Sequence, residues 1–270
     1  MKVLQILPQL NIGGVERGTL DLSKALIHKG HQSFVISGGG ILVDELTQCG
    51  AKHYEIPVHI KSLRTLSLAK RLSETISSID PDIVHVRSRM PAWVNYRAFK
   101  MLQKKPLLVS TFHGLYSFPI YSKVMSFVDH SIAISKTVER YILENYKLDK
   151  GDITVIPRGC DPLEFNNEVI NPVDKANIIE EFPQIVGKKV LTIPGRITKW
   201  KGVAEFIDLL SLLDDNYHGL IVGPTAKSKK KYLNKLQNKV SSLNLEDKIT
   251  FTGSRSCLLY TSPSPRDSSQ

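Results

Sequence analysis

The chain has 270 residues, 41% of them hydrophobic, and a formal net charge of +10. That length holds two ordinary domains or one large one, and the apolar content suffices for buried cores. Three cysteines (Cys49, Cys160, Cys257) show no CxxC pairing and no metal-type spacing, which argues against a disulfide framework and fits a reducing, cytoplasmic compartment. No apolar run approaches the roughly 18 residues of a membrane span. Basic residues such as Lys70, Arg71, Lys100, Lys104 and Lys105 are spread along the chain and read mainly as a solvated surface. Such a surface also suits phosphates or an anionic membrane. With no aromatic-interleaved basic stripe, nucleic acid is not an expected partner.

The opening Met1-Lys-Val-Leu-Gln-Ile-Leu-Pro8 is broken by Gln5 and Pro8 and reads as a first strand, Val3–Leu7, rather than a signal segment. Asn11-Ile-Gly-Gly-Val-Glu-Arg-Gly18 follows and leads into a helix from about Glu16 to Lys29. Glycines at Gly13 and Gly14 let a ligand approach the backbone closely. The pattern is not G-x-G-x-x-G, and the second strand, Ser33–Ile36, is followed by Ser37-Gly38 rather than an acidic residue. Both points exclude a nicotinamide or flavin site.

Leu63, Leu66, Ala69, Leu72, Ile76 and Ile79 recur at helical spacing, giving a helix over Ser62–Ser78 with an apolar and a basic face. Core packing is the expected use of the apolar face; peripheral membrane contact is the alternative. Asp80-Pro-Asp82 precedes the strand Ile83–Val86, at the amino end of the sheet, so it reads as a turn and not as a metal site. Strands at Leu107–Thr111, Ser131–Ile134 and Ile153–Ile156 alternate with helices at Pro91–Leu102 and Lys136–Asn145. This rhythm predicts a doubly wound parallel α/β sheet, whose ligands bind beyond the carboxyl ends of the strands. Gly13-Gly14, Arg87, His113-Gly114 and Arg158-Gly159 sit just past those ends. His113 is therefore a candidate functional residue, whereas His85, inside its strand, reads as core or crevice wall.

In the second half, Leu191-Thr-Ile-Pro-Gly-Arg-Ile-Thr-Lys-Trp-Lys-Gly202 joins a strand, a glycine turn, two cations and a helix start. A helix N-terminus flanked by Gly195, Arg196 and Lys201 suits a phosphate or diphosphate. Further strands are expected at Val190–Ile193, Gly219–Val222 and Ile249–Thr252. Neither HExxH nor G-x-S-x-G occurs.

Taken in order, Gly13-Gly14-Val-Glu16, Pro81-Asp-Ile-Val-His-Val86, Thr111-Phe-His-Gly114, Ile134-Ser135, Val155-Ile-Pro-Arg-Gly-Cys-Asp161 with Phe165, Gly195-Arg196 with Lys201-Gly202, and Ile221-Val-Gly223 resemble a family-4 retaining glycosyltransferase from the first residue to about Arg255. The resemblance implies a GT-B architecture of two Rossmann-like domains: an acceptor domain over 1–170 and part of a nucleotide-sugar donor domain over 171–255. It implies transfer of a sugar to a glycan or lipid-linked acceptor by same-face attack. No metal or other cofactor is expected, and the place of action is the cytoplasm or the inner face of the membrane. Arg196 and Lys201 would bind the donor diphosphate and stabilise leaving-group charge. Gly13, Gly14, Gly195 and Gly223 would approach the donor, with Gly14 presenting its backbone N–H. His113 would contact the transferred sugar. Glu16 would contact acceptor or donor, although a helix N-terminal carboxylate explains it equally well. Arg158 stands where the family usually has Asn, as an anion contact or a linker cap.

The family carries a glutamate pair seven residues apart, the second holding the donor ribose. Nothing past Arg255 matches it, and Glu180-Glu181 and Glu205 lie too early. Residues 256–270, rich in Ser and Pro, read as disordered and resemble translated sequencing-adapter read-through. The expectation is a fragment with about half a donor domain and little activity. The alternatives are a non-catalytic nucleotide-sugar or anion-binding protein and a GT-B-like epimerase or phosphorylase.

Overall fold

The computed structural model describes residues 1–11, 13–60, 67–116, 119–159, 172–225 and 229–255. The tail over 256–270 and the first part of the helix expected over Ser62–Ser78 lie outside the described residues. The chain divides after Gly159 into two units.

The first unit is a seven-stranded sheet in the order β3-β2-β1-β4-β5-β6-β7. Its strands are β1 (Lys2–Ile6), β2 (Gln32–Ser37), β3 (Lys52–Glu55), β4 (Ile83–Val86), β5 (Leu107–Phe112), β6 (His130–Ala133) and β7 (Ile153–Val155). Every pairing is parallel, with Val3 opposite both Ser33 and Ile83 and Val86 opposite Ser110. Parallel strands need crossovers, and helices Gly14–His28, Ala69–Ile79, Arg89–Phe99 and Lys136–Asn145 supply them. All strands therefore end at one edge. The order reverses between β1 and β4, which opens a crevice at their carboxyl ends.

Both faces of the central strands are buried: Leu4, Ile6, Ile36 and Val84 share an apolar face, while the other carries Gln5, Ser33 and His85 beside Val3 and Val35. The helix Ala69–Ile79 buries Ala69, Leu72, Ser73, Ile76 and Ile79, at helical spacing, so its apolar face is spent on the core. Asp80-Pro-Asp82 lies at the amino end of β4, where Asp82 accepts from the Lys2 backbone N–H at 2.7 Å and Asp80 pairs with Lys104 at 2.8 Å.

Helix Val43–Gln48 and edge strand β3 are among the elements of this unit that escaped the sequence reading. Lys52-His-Tyr-Glu has no apolar run to betray it. It is largely exposed and held by its pairing to β2.

The second unit is a parallel three-stranded sheet, β10-β9-β8, made of β8 (Lys189–Pro194), β9 (Tyr217–Val222) and β10 (Ile249–Gly253). Helices Val203–Ser211 and Lys230–Ser242 contribute Val203, Ile207, Leu210, Leu236 and Val240 to its core, alongside Ile221 and Ile249. Lys239 ties the two helices together through the Asp208 carboxylate at 2.6 Å and the Ala204 carbonyl at 3.1 Å. Helix Lys230–Ser242, which is mostly polar, and helix Pro172–Glu181 were also missed by periodicity.

Ile76 is 1% exposed in the main core. Ile76→Ala should lower the unfolding free energy by about 2–5 kcal/mol, through lost transfer energy and the cavity left behind. Urea denaturation checks this, and a loss under about 1 kcal/mol would mean the helix does not pack as described.

Candidate functional site

Two groups of residues sit at strand carboxyl ends, one in each unit. In the first, the helix Gly14–His28 follows β1 with Gly13 as its N-cap. Its underside is polar. Gln5 of β1 donates from Nε2 to the Thr19 carbonyl at 3.1 Å and to Ser23 Oγ at 3.0 Å, while Ser33 donates to Ser23 at 2.9 Å. The Oε1 of Gln5 accepts from Arg87 Nη1 at 2.7 Å. Arg87, one residue past β4, is only 6% exposed. Burial, and then the neighbouring Arg158, pull its pKa down to about 10, while Asp21 and Glu16 on the helix oppose the shift.

Gly14 and Gly18 lie four residues apart on this helix and make room for two guanidiniums. A Cβ at Gly14 would sit 2.6 Å from Arg158 Nη1, and one at Gly18 would sit 3.3 Å from Arg87 Nη2. Arg158, past the end of β7, donates from Nη1 to the Gly14 carbonyl and from Nη2 to His113 Nδ1 at 2.8 Å. His113 follows β5. Burial, together with the two guanidiniums, holds its imidazole neutral with a pKa lowered to about 3. His85 is buried in β4 with Nε2 2.7 Å from Thr111 Oγ1. Burial first, then Arg87 and His113, keep its pKa well below the usual histidine value. It is buried and hydrogen-bonded inside the sheet, consistent with the core or crevice-wall residue its place in the strand suggested.

The Glu16 carboxylate folds back over the helix start, where a Cβ at Gly13 would lie 2.3 Å from Oε2. Gly13, Gly14, Glu16, His113 and Arg158 are thus gathered at one edge. Sequence reasoning placed Arg87 at the crevice but missed its bond to Gln5, and it missed Gly18 as a seat for a guanidinium; the Gly14/Gly18 spacing was the available signal. Two nitrogens here, Arg87 Nε and His113 Nε2, are buried with no hydrogen-bond partner among the described residues. Buried donors normally find an acceptor, so this pair marks where a ligand oxygen would satisfy them.

In the second unit, β8, β9 and β10 end in Gly195, Gly223 and Gly253, with φ of 140°, 151° and 72°. The Gly195 N–H donates to the Val222 carbonyl, and the Gly223 N–H to the Gly253 carbonyl, each at 2.8 Å. The turns after β8 and β9 approach so closely that a Cβ at Gly223 would lie 1.9 Å from the Gly195 oxygen. Arg196 follows at once and is exposed, and Ile197 plugs into the core. A 3-10 turn, Lys199–Lys201, then leads to Gly202, whose φ of 75° sets up the helix Val203–Ser211. The Lys201 side chain turns back over Gly195, its Nζ 3.8 Å from a Cβ built there and 4.7 Å from the Trp200 ring centroid. Among the described residues, neither Arg196 nor Lys201 has a carboxylate within salt-bridge distance. Gly195, Lys201 and Gly223 therefore lie together at the carboxyl end of this sheet, with Arg196 exposed beside Gly195 and neither cation paired with a carboxylate among the described residues.

Two outcomes follow from this geometry. Gly223→Ala should destabilise the protein by at least about 1–3 kcal/mol, because the turn must open and φ is unfavourable for alanine. Gly151→Ala, with open space around it, serves as the control; equal effects in denaturant melts would contradict the close approach. In addition, the unfolded chain protonates its histidines below about pH 6.5, whereas folded His113 stays neutral to about 3. Stability is therefore complete above pH 6.5 and falls as pH drops toward 3. His113→Gln should flatten that fall by up to about one proton in the slope of unfolding free energy against pH; an unchanged slope would contradict a neutral, buried imidazole.

The profile of Glycosyltransferase Family 4 matches residues 12–163, and that of Glycosyl transferases group 1 matches residues 174–259. An uncharacterized glycosyltransferase of Methanocaldococcus jannaschii, MJ1069, is 30% identical over 175 residues, covering 57% of this chain and 43% of the relative. The chain spans less than half the length of the curated relatives it matches. The crystal structure of a glycosyltransferase from Rickettsia africae superposes with a TM-score of 0.80 at 33% identity, covering 96% of this chain and 69% of that one. Anabaena Alr3699/HepE, solved in complex with UDP-glucose, shares the fold at 19% identity with a TM-score of 0.78, over 95% of this chain and 70% of its own. These GT-B relatives match the two parallel sheets described above. With more than half its length matched by one family profile, the chain belongs to Glycosyltransferase Family 4.

Proposed function

We propose that this chain carries the acceptor domain (residues 1–170) and donor-binding elements (171–255) of a retaining, metal-independent hexosyltransferase that uses a nucleotide-diphosphate-sugar. The observation that carries the reading is the closely packed pair of turns at Gly195 and Gly223, with Arg196, Lys201 and the start of helix Val203–Ser211 following directly after β8. A diphosphate needs about this arrangement: backbone N–H groups, a favourable helix dipole and cations not already committed to carboxylates. Arg196 and Lys201 would neutralise the charge that grows on the leaving diphosphate as the glycosidic bond breaks, the role a metal ion plays in other transferases. The solved Anabaena relative holds UDP-glucose, which supports a nucleotide-sugar donor.

In the first unit, Gly14 would present its backbone N–H and the His113 imidazole would contact the transferred sugar. Glu16 and Arg158 would border the acceptor. The acceptor is a glycan or lipid-linked sugar, and the place of action is the cytoplasm or the inner membrane surface. The net charge of +10 supports an anionic acceptor or surface. Among the described residues no helix is long and apolar enough to cross a membrane.

Titration calorimetry with UDP and UDP-glucose tests this reading. Arg196→Ala and Lys201→Ala should each weaken binding of both ligands by roughly ten- to a hundredfold, the worth of a charge-assisted hydrogen bond. Chelation with EDTA should change nothing. Affinities untouched by either substitution, or abolished by EDTA, would sink the proposal. Slow hydrolysis of UDP-glucose should release α-glucose first; release of the β-anomer would rule out retention.

A further inference from the structure

We infer that Arg158 is a positioning residue that fixes His113 as a neutral Nε2–H donor, presented to a hydroxyl oxygen of the transferred sugar. The sugar rests on the donor reading above; the tautomer rests on geometry alone. A guanidinium donates hydrogen bonds and accepts none. Arg158 Nη2 lies 2.8 Å from His113 Nδ1, so Nδ1 must offer its lone pair. The proton of the neutral ring is then on Nε2. That nitrogen is buried and without a partner among the described residues. A buried N–H left unpaired is costly, and an incoming oxygen removes the cost.

Arg158 is itself held at two points, since its other branch donates to the Gly14 carbonyl. A planar fork reaches the helix start and the imidazole together; a lysine ammonium has no such fork. Of the groups facing His113, the Arg87 and Arg158 guanidiniums favour the neutral ring. Arg87 and His85 come from β4 and its end, Arg158 from the end of β7, and Tyr116 meets the His113 backbone through its hydroxyl. Glu16 and Asp21 on the first helix act on the two guanidiniums. A protonated imidazole would confront both arginines; a neutral Nε2–H donor suits a sugar hydroxyl, not an anion already served by them. Arg158 thus converts a ring with two available tautomers into one with a single orientation of donor and acceptor.

The test is 15N NMR of the imidazoles in the intact chain, without ligand, with His113→Gln used for assignment. The wild type should show His113 as one Nε2–H tautomer, invariant between about pH 5 and 8. Arg158→Met should give mixed tautomers and a raised His113 pKa. Arg158→Lys keeps the charge without the fork and should give mixed tautomers as well, with a smaller rise, which separates geometry from charge and stands in if the methionine variant does not fold. A wild-type Nδ1–H or mixed ring, or variants with an unchanged tautomer, would overturn the inference.

Calorimetry supplies the second readout. UDP-glucose should bind wild type tighter than UDP, and Arg158→Met should erase roughly a five- to tenfold part of that difference while leaving UDP affinity in place. Equal loss for both ligands would overturn the sugar-directed role. If the wild type binds neither nucleotide, the donor reading and the sugar fall together, while the NMR result still decides whether Arg158 sets the tautomer.

Discussion

A guanidinium buried between β1 and the first helix sets the terms for the carboxyl edge of the larger sheet. Desolvating Arg87 is costly, and the structure offsets that cost with the Gln5 side-chain oxygen and the carboxylates of Glu16 and Asp21. Gln5 can serve only because its amide nitrogen is satisfied elsewhere, by Thr19 and Ser23. The underside of the helix is therefore polar where a doubly wound fold would ordinarily be greasy. Gly18 must remain small to admit Arg87, and Gly14 to admit Arg158. Burial, with Arg87 beside both histidines and Arg158 beside His113, keeps them neutral. One buried charge thus propagates into helix composition, glycine spacing and the protonation of the crevice.

The second unit meets a different constraint with backbone alone. Three parallel strands end in three glycines at positive φ, and the turns after β8 and β9 pass at a separation that leaves no space for a side chain. Arg196 and Lys201 beside these turns pair with no carboxylate among the described residues, whereas Lys239 and Lys248 on the same unit are engaged with Asp208 and Asp215. That contrast separates cations available to a ligand from those that brace the fold.

Much of this was legible in the chain itself. Alternating strand and helix periodicities pointed to the parallel sheets, because strands covered on both faces are largely apolar and crossover helices are amphipathic. Strand ends marked the crevice, since small and polar residues cluster only where the backbone must stay open to a ligand. The pattern failed where burial was slight: β3, with Lys52, Tyr54 and Glu55 turned to solvent, is a strand by virtue of its pairing to β2 rather than its composition. Helix Lys230–Ser242 was equally hidden, with only Leu236 and Val240 fully committed to the core.

The sequence by itself determined the fold class, the phosphate-suited turn after β8 and the family, because these depend on local periodicity and on short motifs whose neighbours in sequence are neighbours in space. Tertiary structure alone decided the roles of Arg87 and Arg158. The bond between Gln5 and Arg87 spans 82 residues, that between His113 and Arg158 spans 45, and that between Gly14 and Arg158 spans 144. Which proton a histidine carries is fixed by such contacts, and no local pattern encodes a partner that only the closing of the sheet brings within reach.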